Sequence, residues 1–505
     1  MRRAIAITTA ERYFGLITNF ATIAAVSRIL SPAEIGISVI GLAIAGLALA
    51  LREFATTNFV IQKKDLKIED VRTSFTVLLL VTSAIAAVMC TGALPLSDFY
   101  DQRSLEPLIR ILALCLLAGV VFEPVAALLR RKMEFQRLAV LNVTASAVNA
   151  ATTIGLAFLG FSYMSFGWGW LTSACVVGVM SVVVCDDRSI FRPCLKSWRE
   201  FVAFGGYHGA NILFYRLYDS LPYLVLGRTL SLHAVALYSR GITICQLPDK
   251  VLLGGVASVM LTSCSAEVRN GGDLRTSYLR AIEMITALQW PGLVLTAILA
   301  HPIVTLLLGA QWVEVVPLVQ IMALASLFMF SAELNYPMLV AFGAMRDVLL
   351  RSIIVWPLSA LIIAAASFYG LETAALAWLV TMPLQAYVSI YFIRRHVQVT
   401  WGEIAGALWR GGMLALLSAV GPISVVLYMG TFDLPIPGAV IAVLLAAIGW
   451  CAGLLLTAHP LREEVGRVVS VLNGVVPLAR PALPNQRAAK AVRCTQLLVA
   501  TDPRQ

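Results

Sequence analysis

The sequence predicts an all-α polytopic membrane protein of about fourteen transmembrane helices, built as two parallel six-helix lobes followed by two additional helices. Three observations carry that fold class. Of the 505 residues, 59% are hydrophobic and only 13% charged, with a mean hydropathy of +0.84, whereas about a quarter of the residues of ordinary soluble domains are charged. The apolar runs have the length of about 20 residues that a spanning helix requires, and the alternation of a membrane barrel is not seen. Finally, a turn recurs half a chain later: Gly227-Arg228-Thr229-Leu230-Ser231 lies over Ser27-Arg28-Ile29-Leu30-Ser31, and Val235-Ala236-Leu237 over Ile35-Gly36-Ile37, at a shift of 200 residues.

In chain order the expected helices are 9–30, 35–57, 73–93, 107–129, 138–159, 164–185, 204–226, 234–260, 281–300, 317–341, 351–369, 373–393, 408–428 and 436–457. Met1-Arg2-Arg3 is not followed by a short apolar core with a small-residue cleavage site, so no cleaved signal peptide is expected. Assigning alternate loops to the two sides places most of the 38 Lys and Arg on one of them, which is expected to be cytoplasmic and to hold both termini. The opposite turns hold Arg28, Arg103, Arg110, Arg228 and Arg240. Six helices separate the two copies of the turn. An even number gives both copies the same orientation, hence an N-terminal lobe 1–185, a second lobe 204–395, two further helices over 396–457 and a basic tail 458–505. Residues 186–203 mix Arg188, Arg192, Lys196 and Arg199 with Ile190, Phe191 and Trp198, as an amphipathic helix on the inner leaflet would; an ordinary basic loop is the alternative. The tail opens with a candidate surface helix, 461–472, then turns proline-rich and basic, a composition of disorder. The outer loops are too short for a catalytic domain, the longest being 94–106 and 301–316.

Ionisable residues inside spans carry the functional signal. Each costs about 2.5–3.5 kcal/mol at a helix centre, so eight facing lipid would cost on the order of 20 kcal/mol. Arg52, Glu53, Glu123, Arg216, Asp219, Asp249, Lys250 and Glu333 must therefore line a cavity or pair inside the bundle. Arg216 and Asp219, three apart, share a helix face, with Tyr207, Tyr215, Tyr218 and Tyr223 around them. That surface suits sugars or phosphate; a helix-packing ion pair is the bland reading. Arg52–Glu53 and Asp249–Lys250 are adjacent pairs whose members diverge by about 100° around a helix, so both members cannot face one partner. Glu123 and Glu333 occupy corresponding places in the two lobes, beside Pro124 and Pro337. A Glu in low dielectric has its pKa raised towards neutrality, the property of a proton-coupling group; simple hydrogen bonding between helices is the rival. Prolines deep in spans (Pro124, Pro222, Pro248, Pro291, Pro337, Pro357, Pro383) permit bends.

Catalytic, metal and cofactor chemistry find no support. The nine cysteines include no Cys-x-x-Cys, the five histidines are scattered, and Asp186-Asp187 reads as a solvated helix end. Nucleic acid is not an expected partner, because the +10 charge is distributed by topology.

Two stretches then resemble a family. Ser27-Arg28-Ile29-Leu30-Ser31-Pro32-Ala33-Glu34-Ile35-Gly36, followed by Phe59-Val60-Ile61-Gln62-Lys63-Lys64-Asp65, looks like the opening of bacterial polysaccharide transporters of the Wzx type, in the multidrug/oligosaccharidyl-lipid/polysaccharide exporter superfamily. Leu129-Arg130-Arg131-Lys132-Met133-Glu134-Phe135 resembles that family's basic loop. The resemblance covers roughly residues 10–400. It implies a non-enzymatic flippase of the bacterial inner membrane that turns over an undecaprenyl-pyrophosphate-linked oligosaccharide for exopolysaccharide, capsule or O-antigen export. The lobes would rock around a cationic cavity, with an ion gradient as drive. Membrane lipids, a polysaccharide polymerase and a co-polymerase are the implied partners. Arg52, Arg216 and Lys250 come forward as pyrophosphate or acidic-sugar contacts, with Asp219, Tyr215 and Tyr218 beside them, and Glu123, Glu333 and Glu53 as ion-coupling candidates. An ion-coupled drug or metabolite antiporter of the same superfamily is the first alternative, and a membrane glycosyltransferase or polymerase on the same carrier the second.

Overall fold

The computed structural model describes residues 2–53, 58–63, 65–253, 274–457 and 459–462. Among them every regular element is a helix: α1 (Arg2–Ile29), α2 (Pro32–Arg52), α3 (Asn58–Gln62), α4 (Ile68–Phe99), α5 (Leu105–Gly119), α6 (Phe122–Arg131), α7 (Phe135–Phe158), α8 (Met164–Val184), α9 (Trp198–Thr229), α10 (Leu232–Cys245), α11 (Leu274–Ile298), α12 (Ala300–Leu307), α13 (Val316–Ala325), α14 (Phe330–Ala341), α15 (Met345–Ser367), α16 (Leu371–Leu376), α17 (Trp378–Arg394), α18 (Trp401–Met429) and α19 (Ile436–Leu456). The described residues up to 453 form one compact unit, and those from 454 to 462 belong to a second. The protein is an all-α polytopic membrane protein. Ten helical stretches among the described residues are long and apolar enough to cross a membrane, and the pair α5 and α6, bent by 40°, makes an eleventh. The expected count of fourteen exceeds this by the three helices that begin the halves. α1 and α9 have the length but are too polar, and α10 is only 14 residues long.

The repeated turn forms twice with the same local chemistry. Leu30 N–H donates to Val26 O and Leu230 N–H to Leu226 O, both at 2.9 Å; Ile35 N–H donates to Ser31 O and Val235 N–H to Ser231 O, both at 3.2 Å. Ser31 and Ser231 are the N-caps of α2 and α10, accepting from Glu34 N–H and Ala234 N–H. In the first copy Pro32 opens the helix and Glu34 reaches back to the Ser31 N–H at 2.7 Å, completing a capping box. The two copies also meet. A Cβ on Gly36 would stand 2.0 Å from the carbonyl oxygen of Leu232, so only glycine lets α2 approach the start of α10 this closely.

The halves are stitched at this end. Trp312, fully buried, donates its indole N–H to Ser27 O at 2.7 Å; Gln311 donates to Ser27 O and Leu30 O; Arg28 donates to Leu306 O. Tyr100 donates to Leu224 O at 3.1 Å, and Ser220 to Ala43 O at 3.3 Å. α2 packs against both α9 and α10, within a core that includes Val26, Ile40, Leu226, Val235 and Tyr238.

Several expectations need correction. The linker 186–203 is not one amphipathic helix. A 3-10 turn covers Arg188–Phe191, residues 192–197 are non-helical, and α9 starts at Trp198. Tethers of several kinds hold this connection instead: Lys132 and Arg137 on Asp186 at 2.7 and 3.2 Å, Lys196 on Glu69 at 2.8 Å, and Arg72 on Ser189 O at 2.9 Å. The loops expected at 94–106 and 301–316 are largely helical, as the end of α4, α12 and a 3-10 turn over Ala310–Val315. Arg240 is not in a turn but on α10, 6% exposed. All but the first two residues of the expected helix 461–472 lie outside the described residues.

Candidate functional site

The predicted substrate residues of the second half gather on α9. Arg216 and Asp219 pair at 3.5 Å, each side chain two-fifths exposed, as their i,i+3 spacing predicts. The Arg216 guanidinium lies 5.8 Å from the centre of the Tyr215 ring, which itself meets Trp356 edge-on at 5.4 Å. Tyr218 accepts a hydrogen bond from Gln385 at 3.2 Å. Lys250 lies within electrostatic reach of Asp219. It sits on a π-helical turn, Asp249–Leu253, that follows Pro248 and the end of α10. Pro248 lacks an N–H for the helix ladder, while the Lys250 N–H still donates to Gln246 O at 3.0 Å. Its neighbour Asp249 accepts from Gln289 at 2.9 Å, so the adjacent pair diverges as helical geometry requires.

Arg52 and Glu123 were predicted for different roles, and the structure pairs them at 2.8 Å. Arg52 ends α2 and is 8% exposed; Glu123 opens α6, just past the bend between Gly119 and Phe122. Pro124 explains the bend, because its nitrogen cannot continue the ladder of α5. Glu53 caps α2 and is half-buried. Glu333 lies on α14, but its side chain lies outside the described residues.

Two buried cations join the list. Arg351 on α15 is 8% exposed; its Nε donates to Ser389 Oγ at 2.8 Å, while Asn335 donates to the Ser389 carbonyl at 3.0 Å. Its guanidinium is within electrostatic reach of Tyr218, extending the polar cluster from α9 to α15 and α17. Arg240 stands 5.6 Å from the centre of the Trp312 ring, and its Nε has no hydrogen-bond partner. Neither arginine pairs with a carboxylate among the described residues. The sequence signal for Arg240 was the predicted helix 234–260, which already enclosed it. For Arg351 it was six residues of α15 preceding it, a helix start that the sequence reading set too late. The arrangement can bind anions and hydroxyls. Among the described residues no group of three His, Cys, Asp or Glu is placed to hold a metal.

The two stretches that resembled a known family touch one another. Arg131, at the end of α6, donates to the carbonyls of Val60, Ile61 and Lys63 at 2.9, 3.2 and 2.6 Å, satisfying the orphan end of α3.

The family described as "Polysaccharide biosynthesis protein" matches residues 25–317, more than half of the chain. The succinoglycan biosynthesis transport protein ExoT of Rhizobium meliloti (strain 1021) is 25% identical over 62% of this chain and 63% of its own length. The lipopolysaccharide biosynthesis protein WzxC of Escherichia coli (strain K12) is 21% identical over 60% of this chain and 62% of its own. The chain therefore spans less than two-thirds of the length of either relative. Among solved structures, one described as "Lipid II flippase MurJ, inward closed conformation" superposes with a TM-score of 0.73 at 13% identity, covering 92% of this chain and 100% of that one. An inward-facing multidrug resistance MATE family transporter of the MOP superfamily gives 0.63 at 15% identity, covering 76% and 94%. At these identities the likeness is one of fold.

Proposed function

Because the chain belongs to the polysaccharide biosynthesis protein family, we propose that it is a flippase that moves an undecaprenyl-pyrophosphate-linked oligosaccharide from the inner to the outer leaflet of a bacterial inner membrane. It is a transporter and not an enzyme. The observation that carries the reading is the grouping of Arg216, Lys250 and Arg351 around Asp219 and Tyr218 in the second half of the bundle, since among the described residues these three cations exceed the two carboxylates beside them, Asp219 and Asp249, the second of which accepts from Gln289. Such a surface suits a pyrophosphate, and the family match supplies the polysaccharide context. The lobes 1–185 and 204–395 would alternate around this space. In this reading the hydrogen bonds at Ser27–Leu30 would close one end, the one expected to face outside from the Lys and Arg distribution. Glu123 would serve as the coupling group by exchanging its Arg52 partner for a proton. Membrane lipids, a polymerase and a co-polymerase are its proposed partners.

The test is deletion of the gene. Lipid-linked oligosaccharide should then accumulate on the cytoplasmic leaflet and the matching surface or secreted polysaccharide should disappear. Normal export in a deletion strain with no redundant transporter would refute the reading.

A further inference from the structure

A cavity of about 430 Å³ opens between α1, α2, α7, α8 and α10, with none of its described lining residues on α9. Its size falls within the roughly 300–1,000 Å³ of small-molecule sites. Among the described residues, Arg240 is the one ionisable group that lines it. That arginine is 6% exposed, pairs with no carboxylate among the described residues, and keeps its Nε without a partner. A buried cation left in this state is costly unless something else satisfies it. The Trp312 ring supplies part by cation–π attraction; the open hydrogen-bonding direction remains.

The rest of the wall specifies what would fill it. Thr18 donates its hydroxyl proton to Phe14 O at 2.7 Å and Thr22 to Thr18 O at 2.8 Å, which leaves their oxygens as acceptors. Asn149 has its carbonyl oxygen engaged by Thr153 at 3.0 Å, leaving its amide N–H groups as donors. Trp170 adds a flat apolar face. One guanidinium from α10, amide donors from α7, hydroxyl acceptors from α1 and an aromatic face from α8 form a set that a neutral lipid chain leaves unsatisfied. A sugar ring carrying a carboxylate meets every part of it.

We infer that this cavity binds one carboxylated sugar residue, with Arg240 holding the carboxylate. The inference rests on the flippase reading, for which it names an acidic glycan as cargo.

Purified full-length protein in detergent tests it by saturation-transfer NMR, with D-glucuronate, D-glucose and inorganic phosphate as probes. D-glucuronate should give a saturable signal, D-glucose a weaker one, and phosphate should displace glucuronate poorly. Arg240→Gln should weaken glucuronate binding about tenfold or more, Arg240→Lys by less, and Asn149→Leu should weaken it independently of the cation. The probe competition needs no variant, so it stands even if Arg240→Gln does not fold. No saturable glucuronate signal, equal binding by wild type and the folded variants, or phosphate competing as well as the sugar acid would each overturn the inference. These readouts do not involve export. A deletion phenotype without glucuronate binding removes this site and leaves the flippase reading standing, whereas Arg240-dependent binding with normal export in the deletion strain removes the flippase reading and leaves the site.

Discussion

At the scale of single residues, the charges divide into pairs that hold the bundle and cations left for something else. The Arg216–Asp219 pair is 3.5 Å long and two-fifths exposed, a geometry worth about 0–1 kcal/mol. Arg216→Ala should therefore insert and purify as a single monodisperse species while export is lost, and Arg216→Lys should rescue in part, because Lys lacks the planar fork that meets phosphate. Full export from the exchanged pair, Arg216→Asp with Asp219→Arg, would make the contact structural and remove it from the anion site. Arg52–Glu123 should behave differently. Its arginine is buried and its bond is 2.8 Å, so Glu123→Gln alone should destabilise the purified protein by about 1–3 kcal/mol. If Glu123 carries the coupling proton, Glu123→Gln vesicles should also lose the response of transport to an imposed pH gradient. Retention of the full wild-type gradient dependence would exclude that role. The sequence placed all four of these residues inside the membrane, because each lies within an apolar run long enough to span it. It missed the link between Arg52 and Glu123, since a partner 71 residues away leaves no local pattern.

Elements show where sequence patterns become contacts. The turn at Ser27–Ser31 was legible as a repeat, and its capping chemistry follows from Ser31, Pro32 and Glu34 in that order. The reason for Gly36 was not, because it lies in the carbonyl of Leu232 from the other copy. Gly36→Ala should lower the melting temperature in detergent by forcing α2 from α10, since backbone at 2.0 Å cannot rotate away. Gly155→Ala in the last turn of α7 is the control: nothing lies within 4 Å of its added methyl, and replacing a helical glycine should stabilise by up to about 0.5–1 kcal/mol. Equal effects of the two would show that close packing at Gly36 contributes nothing. In the 185–197 connection, the hydrogen bond from Lys132 to Asp186, with Arg137 beside it, holds the Asp186 carboxyl below its usual 3.8. A lowered carboxylate pKa stabilises the folded state above the unfolded value and withdraws that stabilisation as pH falls through the folded one. Limited proteolysis of the connection should accordingly accelerate only below about pH 4, and Asp186→Asn should remove that dependence.

For the whole molecule, the first quantity to test is orientation. A cysteine in place of Asp101 in otherwise cysteine-free protein should react with an impermeant reagent from outside intact cells, and one in place of Glu134 only after the inner face is opened. Labelling of the Glu134→Cys protein in intact cells would reverse the assignment of every loop. Composition, apolar run length and the 200-residue echo sufficed for an all-α bundle, because each helix satisfies its own backbone hydrogen bonds and must be apolar over about 20 residues to remain in a bilayer. Those requirements are written locally, and the sequence alone determined them. α1, α9 and α10 were legible as helices too, although by length and apolarity alone they do not count as spans among the described residues. Which cations find carboxylates, that Arg240 lines a cavity walled by four other helices, and that Ser27 is held by Trp312 were decided by tertiary structure alone. Arg52 and Glu123 are 71 positions apart and Ser27 and Trp312 are 285, and chain order carries no term for such distances until the helices pack.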